Sequence, residues 1–300
     1  MIKVVTDSVA SLPQDIVEDE SVEVVSLFMN YDGREYMDAT MDVDEFYSHI
    51  HDMADNPPIS SQPSQAYLEE LFEKIARDGD ELLGIWISTG LSGTYDGVLR
   101  AARSVKARNI DFRYLMIDSH SCGFDEALPV LDGVRAVREG KTLEEAADVV
   151  LAGISKTRFL FTPENLVFLQ KGGRIGGAAA LLGNLVHLVP VLTVVDGVPV
   201  AKAKVRSRKK ALDRIVSILK NDMERCGGLT GLVVHYIGDK TPAIEWAKNV
   251  IEPLLGMKVR VLPVSPVVGL HVGPAVGIAY ECNLALGDKI SGDLHRLVSS

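Results

Sequence analysis

The sequence predicts a two-domain α/β protein, with an N-terminal α/β domain on a parallel sheet over residues 1–156 and a C-terminal two-layer α+β domain over residues 157–300. Short apolar segments alternate with amphipathic helical segments in the first half, which is typical of parallel βαβ units covered on both faces. The second half combines a hairpin signal with a strand that exposes one face. A chain of 300 residues is also longer than one average domain.

Four apolar segments of the first half are expected to be strands, and they cover residues 2–8, 21–27, 82–88 and 113–119. Three segments have helical periodicity, and they cover residues 64–79, 94–107 and 142–154. The last of these begins with Thr142 and Glu145, which have the spacing of a capping box. The segment 118–129, DSHSCGFDEALP, is interpreted as a loop.

The second half contains a different set of signals. Asp196-Gly197 favours a tight hairpin turn, and a helix is expected from Arg208 to about Cys226. Residues 229–238 form a continuous apolar segment that indicates a buried strand. Pro242 suits the first turn of a further helix, and residues 257–264 alternate in the manner of a half-exposed strand.

Composition narrows the classes of function. A net charge of −10 argues against nucleic-acid binding, which requires a basic face. The three cysteines lie far apart without a CxxC motif, which favours a reducing compartment, so a cytoplasmic protein is expected. No His or Cys cluster has the spacing of a metal site, since His49 and His51 do not share a helix face. We expect no metal and no cofactor.

One uncharged segment is long enough to cross a bilayer. It covers residues 175–195, but it contains Asn184, His187 and Pro190 and leads directly into the Asp196-Gly197 turn. We interpret it as a short buried helix that leads into a hairpin, and no transmembrane segment is expected.

Hydroxyl side chains gather where strands of the predicted parallel sheet end. Ser92 and Thr94 follow the strand 82–88, and Ser60 and Ser61 precede the helix 64–79. Ligands of open parallel sheets bind beyond the carboxyl ends of the strands, where helix N-termini attract anions. These four residues are therefore candidates to hold one small anionic group. Serines also cap turns and helices for purely structural reasons.

A serine esterase is the main alternative from another class. Ser92 lies in Gly90-Leu91-Ser92-Gly93-Thr94, which departs from the G-x-S-x-G nucleophile elbow. His271 is a candidate base, but no carboxylate stands out beside it. A binder of small phosphate compounds, using the same helix N-termini, is a third hypothesis.

Two arginines are candidates for anion or partner contacts. Arg174 lies in the glycine-rich stretch 169–177, where its guanidinium could serve as a fixed fork for phosphate or carboxylate, or form a surface salt bridge. Arg206 lies in the basic cluster 202–211, which is either a solvated helix start or a docking patch for an anionic partner.

Six motifs, taken in order, resemble the DegV family. They are VTDSVASLP (5–13), SSQPS (60–64), STGLSGTY (88–95), FLQKGGRIG (168–176), Asp196-Gly197 with KVRSRKKAL (204–212), and GLHVGPAVG (269–277). The resemblance covers nearly the whole chain. It departs from the family pattern at Ser60, where threonine is usual, at HVG in place of HTG, and in the segment 118–129.

The resemblance implies a non-enzymatic fatty-acid-binding protein that has an N-terminal α/β and a C-terminal α+β domain. The acyl chain would be buried and its carboxyl group would lie near the domain interface, held by Ser60 and Ser92 with His271 close by. Arg174 and Arg206 would lie near the entrance, for acyl-phosphate or kinase contacts. The partners it implies are a long-chain fatty acid and a fatty-acid kinase, and transient contact with a membrane surface is compatible with them.

Overall fold

A computed structural model describes residues 1–181 and 188–300. The strands in chain order are β1 (Ile2–Asp7), β2 (Glu23–Val25), β3 (Phe28–Tyr31), β4 (Arg34–Met37), β5 (Ile59–Ser61), β6 (Glu81–Trp86), β7 (Tyr114–Asp118), β8 (Thr157–Pro163), β9 (Val189–Val195), β10 (Val198–Val205), β11 (Leu229–Ile237), β12 (Arg260–Pro263), β13 (Ala275–Cys282) and β14 (Val298–Ser299).

The helices in chain order are α1 (Gln14–Glu20), α2 (Val43–Ser48), α3 (Gln65–Arg77), α4 (Thr94–Arg108), α5 (Phe124–Arg138), α6 (Leu143–Lys156), α7 (Val167–Lys171), α8 (Arg208–Arg225), α9 (Thr241–Trp246), α10 (Glu252–Leu255) and α11 (Pro266–Val272). A π-helical turn, Ala247–Ile251, joins α9 to α10. The described helices are all too short or too polar to serve as a membrane span.

The first sheet confirms the parallel α/β arrangement predicted for the first half. Its strand order is β14-β7-β6-β1-β2, and every pairing is parallel except that of β14 with β7. Trp86 packs with side chains of α3 and α4, whereas Ile85 packs with those of α5 and α6. The sheet is thus covered on both faces, and the carboxyl ends of β1, β6 and β7 share one edge. The predicted capping box of α6 is also present.

Only residues 119–123 of the segment 118–129 form a loop, because α5 begins inside the segment at Phe124. Gly123, at φ +63°, makes the sharp entry into the helix. Pro129 lies within the helix and leaves the carbonyl of Asp125 without its usual partner four residues on. The hydroxyl of Thr157 donates to that carbonyl instead, at 3.4 Å.

The second sheet has the order β10-β9-β8-β13-β11-β12 and is antiparallel except between β11 and β12. The predicted hairpin is confirmed, with Asp196 at φ +47° and Gly197 at φ +79°, as a primed turn requires. A 3-10 helix covers Gly176–Leu181, and the helix expected in residues 175–195 otherwise falls on 182–187, outside the described residues. The domain boundary near Lys156 stays a prediction.

A third, three-stranded antiparallel sheet of order β4-β3-β5 was not predicted. It pairs Ser60 of β5 with Met29 of β3, and Met29 is fully buried in the large core shared with the second sheet. This packing fixes β5, and with it Ser60, against helix α11. The sheet therefore carries one of the candidate site residues.

Candidate functional site

A cavity lies where the loop after β6, strands β5 and β8, and helix α11 meet. Its polar lining side chains are Ser60, Ser61, Gln62, Ser92, Arg174 and His271. They lie close together, because Ser60 bonds to His271, Arg174 lies near His271, and Gln62 lies near Gly93, the residue after Ser92. The remaining lining is apolar and includes Leu27, Ile87, Leu91, Cys122, Phe159, Phe161, Leu169, Val194, Pro199, Val267, Val268 and Val272. The cavity thus has a polar head region and an apolar interior.

Ser88, at the start of the loop between β6 and α4, fixes the position of this loop. Its hydroxyl donates to the Gly197 carbonyl at 2.8 Å and accepts from the Gly90 N–H at 3.1 Å. A Cβ built on Gly90 would lie 2.7 Å from the Gly197 oxygen, so a side chain at that position would separate the loop from the hairpin turn. Glycine at position 90 therefore permits the close approach of two segments that are distant in sequence.

Ser92 presents the hydroxyl of this loop to the cavity. Its backbone N–H donates to the Ser88 carbonyl at 3.0 Å, and its Oγ shares a hydrogen bond with Oγ1 of Thr94 at 2.9 Å. Thr94 is fully buried and does not line the cavity. The structure therefore gives Thr94 the position of a residue that orients Ser92.

Ser60 and His271 meet across the head region. Oγ of Ser60 and Nε2 of His271 are 3.0 Å apart and share a hydrogen bond. Burial, reinforced by the positive charge of Arg174, lowers the pKa of His271 to about 4, so the ring is neutral near pH 7. Its Nδ1 has no hydrogen-bond partner among the described residues.

Helix α11, which carries His271, is anchored at its start by a buried carboxylate. Asp38 accepts hydrogen bonds from the Ser265 hydroxyl at 2.7 Å and from the Val267 N–H at 3.0 Å. Ser265 is the N-cap residue, and the Val267 N–H belongs to the first turn, where backbone N–H groups lack partners within the helix. The position of His271 therefore depends on a side chain from the first half of the chain.

Arg174 lines the cavity after the glycine bend that follows α7. Its Nε donates to the Leu91 carbonyl at 3.2 Å and its Nη1 to the Gly172 carbonyl at 2.6 Å. These bonds orient the guanidinium and leave Nη2 to donate to a ligand. Arg174 is thus the one formally charged side chain among the described residues that line the cavity.

The structure brings together Ser60, Ser61, Ser92, Arg174 and His271, but not Arg206. Arg206 is exposed in the bend between β10 and α8 and does not line the cavity. Sequence reasoning missed Gln62, which lines the cavity beside Ser61. Its place in the SSQPS motif was the signal that could have identified it.

A catalytic serine triad is not formed by the described residues. The hydroxyl of Ser92 bonds to Thr94, the histidine bonds to Ser60, and no described carboxylate contacts Nδ1 of His271. A triad needs a base bonded to the nucleophile and an acid that orients the base. The described residues also contain no cluster of His, Cys, Asp and Glu suited to a metal ion. This head region is built from neutral donors and one cation.

Comparisons with known proteins identify the family of the chain. Residues 1–283 match the family model described as "Uncharacterised protein, DegV family". A DegV domain-containing protein of Clostridium acetobutylicum is 37% identical over 284 residues, which cover 93% of this chain and 97% of the relative. One from Clostridium perfringens is 36% identical over 280 residues, covering 93% and 98%.

Solved structures give the same result. A stearic acid-binding protein of Eubacterium ventriosum matches with a TM-score of 0.85 and 27% identity, covering 94% of this chain and 99% of the other. A fatty acid-binding DegV family protein of Thermus thermophilus matches with a TM-score of 0.82 and 28% identity, with the same coverage. The chain therefore belongs to the DegV family.

Proposed function

We propose that this protein binds a long-chain fatty acid, with the carboxyl group in the polar head region and the acyl chain in the apolar interior of the cavity. The observation that carries the proposal is the division of one cavity into these two parts. The relatives from Eubacterium ventriosum and Thermus thermophilus, which are named as fatty-acid binders, support it.

The head region has the donors that a carboxyl group needs. Ser92, Ser60 and Nη2 of Arg174 offer hydrogen bonds from different elements, and the guanidinium offsets a negative charge. Burying an unpaired carboxylate costs several kcal/mol, so donors from several sides are required. The neutral His271 ring adds a further polar contact without adding charge.

The interior provides most of the binding energy. Each buried methylene contributes about 0.8 kcal/mol, so a sixteen-carbon chain contributes on the order of 10 kcal/mol before ordering costs. Leu27, Ile87 and Val194, from three different segments, supply part of the apolar wall. A small phosphate compound would leave this wall without a partner, which favours the fatty acid over that alternative.

The second part of the proposal is delivery of the fatty acid to a kinase that phosphorylates its carboxyl group. The protein would be the substrate-carrying partner and perform no turnover itself. Arg206 is exposed, lies in a basic segment, and forms none of the ion pairs found among the described residues. We assign it to docking of the kinase or of the acyl-phosphate.

Calorimetry on delipidated protein tests the binding proposal. Palmitic acid should bind more tightly than its methyl ester, because the ester cannot accept hydrogen bonds as an anion, and far more tightly than butyric acid, because the short chain leaves the interior empty. Hexadecyl phosphate and glucose phosphate serve as the phosphate controls. Tight binding of glucose phosphate without binding of palmitic acid would contradict the proposal.

A further inference from the structure

The apolar interior of the cavity ends at a wall made by two elements. Phe159 and Phe161 point from the same face of β8, and Val268 and Val272 point from one face of α11. All four residues line the head-bearing cavity, and all four also line a second, smaller cavity beyond them. They therefore separate two apolar spaces.

The two rings are held in place by their neighbours. Their centroids are 4.9 Å apart, and both side chains are almost completely buried. Phe161 pairs with Gly277 on β13, where an added Cβ would lie 2.7 Å from the phenylalanine Cβ. Phe159 packs edge-on against His235, with ring centroids 5.7 Å apart. A wall fixed on both sides does not open without changing its packing.

The second cavity is lined by apolar groups but, at about 10 Å³, takes the end of a hydrocarbon chain only when the wall is shortened. Its two polar side chains are already engaged, because His235 donates from Nδ1 to the Leu262 carbonyl and accepts the Phe124 N–H at Nε2. The Tyr236 hydroxyl donates to Asp44 at 2.7 Å. The other lining residues include Ala275 and Val276, which do not line the first cavity.

We infer that this wall, formed by Phe159, Phe161, Val268 and Val272, sets the maximum acyl-chain length that the protein binds well. The inference rests on the proposed function. A saturated chain that enters from the head region fills the first cavity and stops at the rings. Longer chains must bend, leave carbons outside, or displace a packed ring, and they lose the gain that each further methylene would bring.

A chain-length series tests the inference. The affinities of delipidated wild-type protein for saturated acids from ten to twenty carbons should rise about fourfold per methylene. Beyond one chain length, which we call the break, the affinity should level off or fall. Phe161→Leu shortens the wall and joins the two cavities, so this break should move to longer acids. Val272→Ala shortens a wall residue on helix α11 and should shift the break in the same direction. It tests the inference independently of whether Phe161→Leu folds.

Two further variants distinguish an effect of the wall itself from a general loosening of the protein core. Phe72→Leu removes a ring from the core of the first sheet, which lines neither cavity, and should leave the break unchanged. Ala275→Val fills the second cavity and should leave the wild-type break unchanged, but it should reverse the shift in Phe161→Leu. The inference would be overturned if Ala275→Val alone moved the break. It would also be overturned if the break stayed unchanged in folded Phe161→Leu and folded Val272→Ala. Either result would leave the proposed function standing. Failure of every acid to bind wild-type protein would contradict the proposed function itself.

Discussion

Ser60 Oγ and His271 Nε2 lie 3.0 Å apart, although 211 positions separate them in the sequence. The contact joins strand β5 of the small sheet to helix α11 of the second half, at the head region of the cavity. Each of these elements is fixed by its own buried anchor, Met29 for β5 and Asp38 for α11. The hydrogen bond therefore indicates that both elements are in place at the site.

Ser60 variants test the role of this contact. Ser60→Ala removes the donor and should weaken fatty-acid binding by about 1–3 kcal/mol, because a buried acceptor loses its partner. Ser60→Thr keeps the hydroxyl and should bind nearly as well as wild type. Calorimetry with palmitic acid provides the measurement. Equal affinities for the alanine and threonine variants would show that the hydroxyl is not used.

Ser92 and Thr94 form a second testable pair. Ser92→Ala should weaken binding by about 1–3 kcal/mol, whereas Thr94→Val should cost less because Thr94 acts only through Ser92. Residues that share one hydrogen bond are coupled, so the double variant should resemble Ser92→Ala alone. Strictly additive losses would instead mean that Thr94 contacts the ligand independently.

Titration of His271 tests the electrostatics of the head region. Burial and the nearby Arg174 charge hold its pKa at about 4. Arg174→Gln removes the positive charge and should raise this pKa, which NMR of labelled histidine can follow. Lys220→Gln, on the exposed surface of α8, is the matched control. No change in Arg174→Gln would contradict the proximity of the two groups.

The same pKa predicts a pH effect on stability. Between about pH 6.5 and pH 4 the unfolded chain protonates at His271 but the folded protein does not, so this residue's contribution to the free energy of unfolding falls as pH falls. Asp7, whose pKa burial raises to about 7, acts in the opposite direction over much of this range. The difference between wild type and His271→Asn in urea unfolding therefore isolates the histidine, and it should shrink towards pH 4.

Gly90 tests the link between the loop and the hairpin turn. Gly90→Ala should weaken both folding and fatty-acid binding, because the new Cβ would lie 2.7 Å from the Gly197 oxygen and 2.8 Å from Cγ1 of Val198. Gly93→Ala is a suitable comparison for folding, since its nearest neighbour would be 3.7 Å away. Thermal unfolding should separate the two variants, and equal melting temperatures would count against the link.

Arg206 tests the delivery role. Arg206→Ala should retain palmitic acid, because the residue does not line the cavity, but it should lower the rate at which a bacterial fatty-acid kinase phosphorylates the bound acid. Lys220→Ala removes an exposed charge from the later part of α8 and should leave that rate unchanged. Loss of lipid from Arg206→Ala would place the arginine in the site instead.

The first sheet was predictable from sequence because its strands are continuous apolar segments and its covering helices α3, α4 and α6 are amphipathic. Helix α5 was missed for a physical reason. It is buried almost throughout, so it shows little periodic contrast between faces. It also contains Pro129, and its buried Asp125 is neutralised by Lys289, 164 positions away. The small sheet was missed because β4 is exposed throughout and β5 has only three residues.

The candidate site was likewise predictable only in part. Short motifs identified Ser60, Ser92, Arg174 and His271, because hydroxyl and cationic residues at strand and helix ends have a recognisable chemistry. The bond from Ser88 to Gly197 spans 109 positions, and no local pattern predicts it. Thr94 was assigned to the ligand with Ser92 because spacing alone does not distinguish a residue that faces a cavity from one that supports it.

Mass spectrometry of an organic extract from the native protein, purified without detergent from a bacterial host, tests the central proposal most directly. We expect one fatty acid per protein molecule in wild type and markedly less in a Ser60→Ala, Ser92→Ala double variant that remains folded. An extract without fatty acid, from protein that also fails to take up palmitic acid after delipidation, would contradict the account.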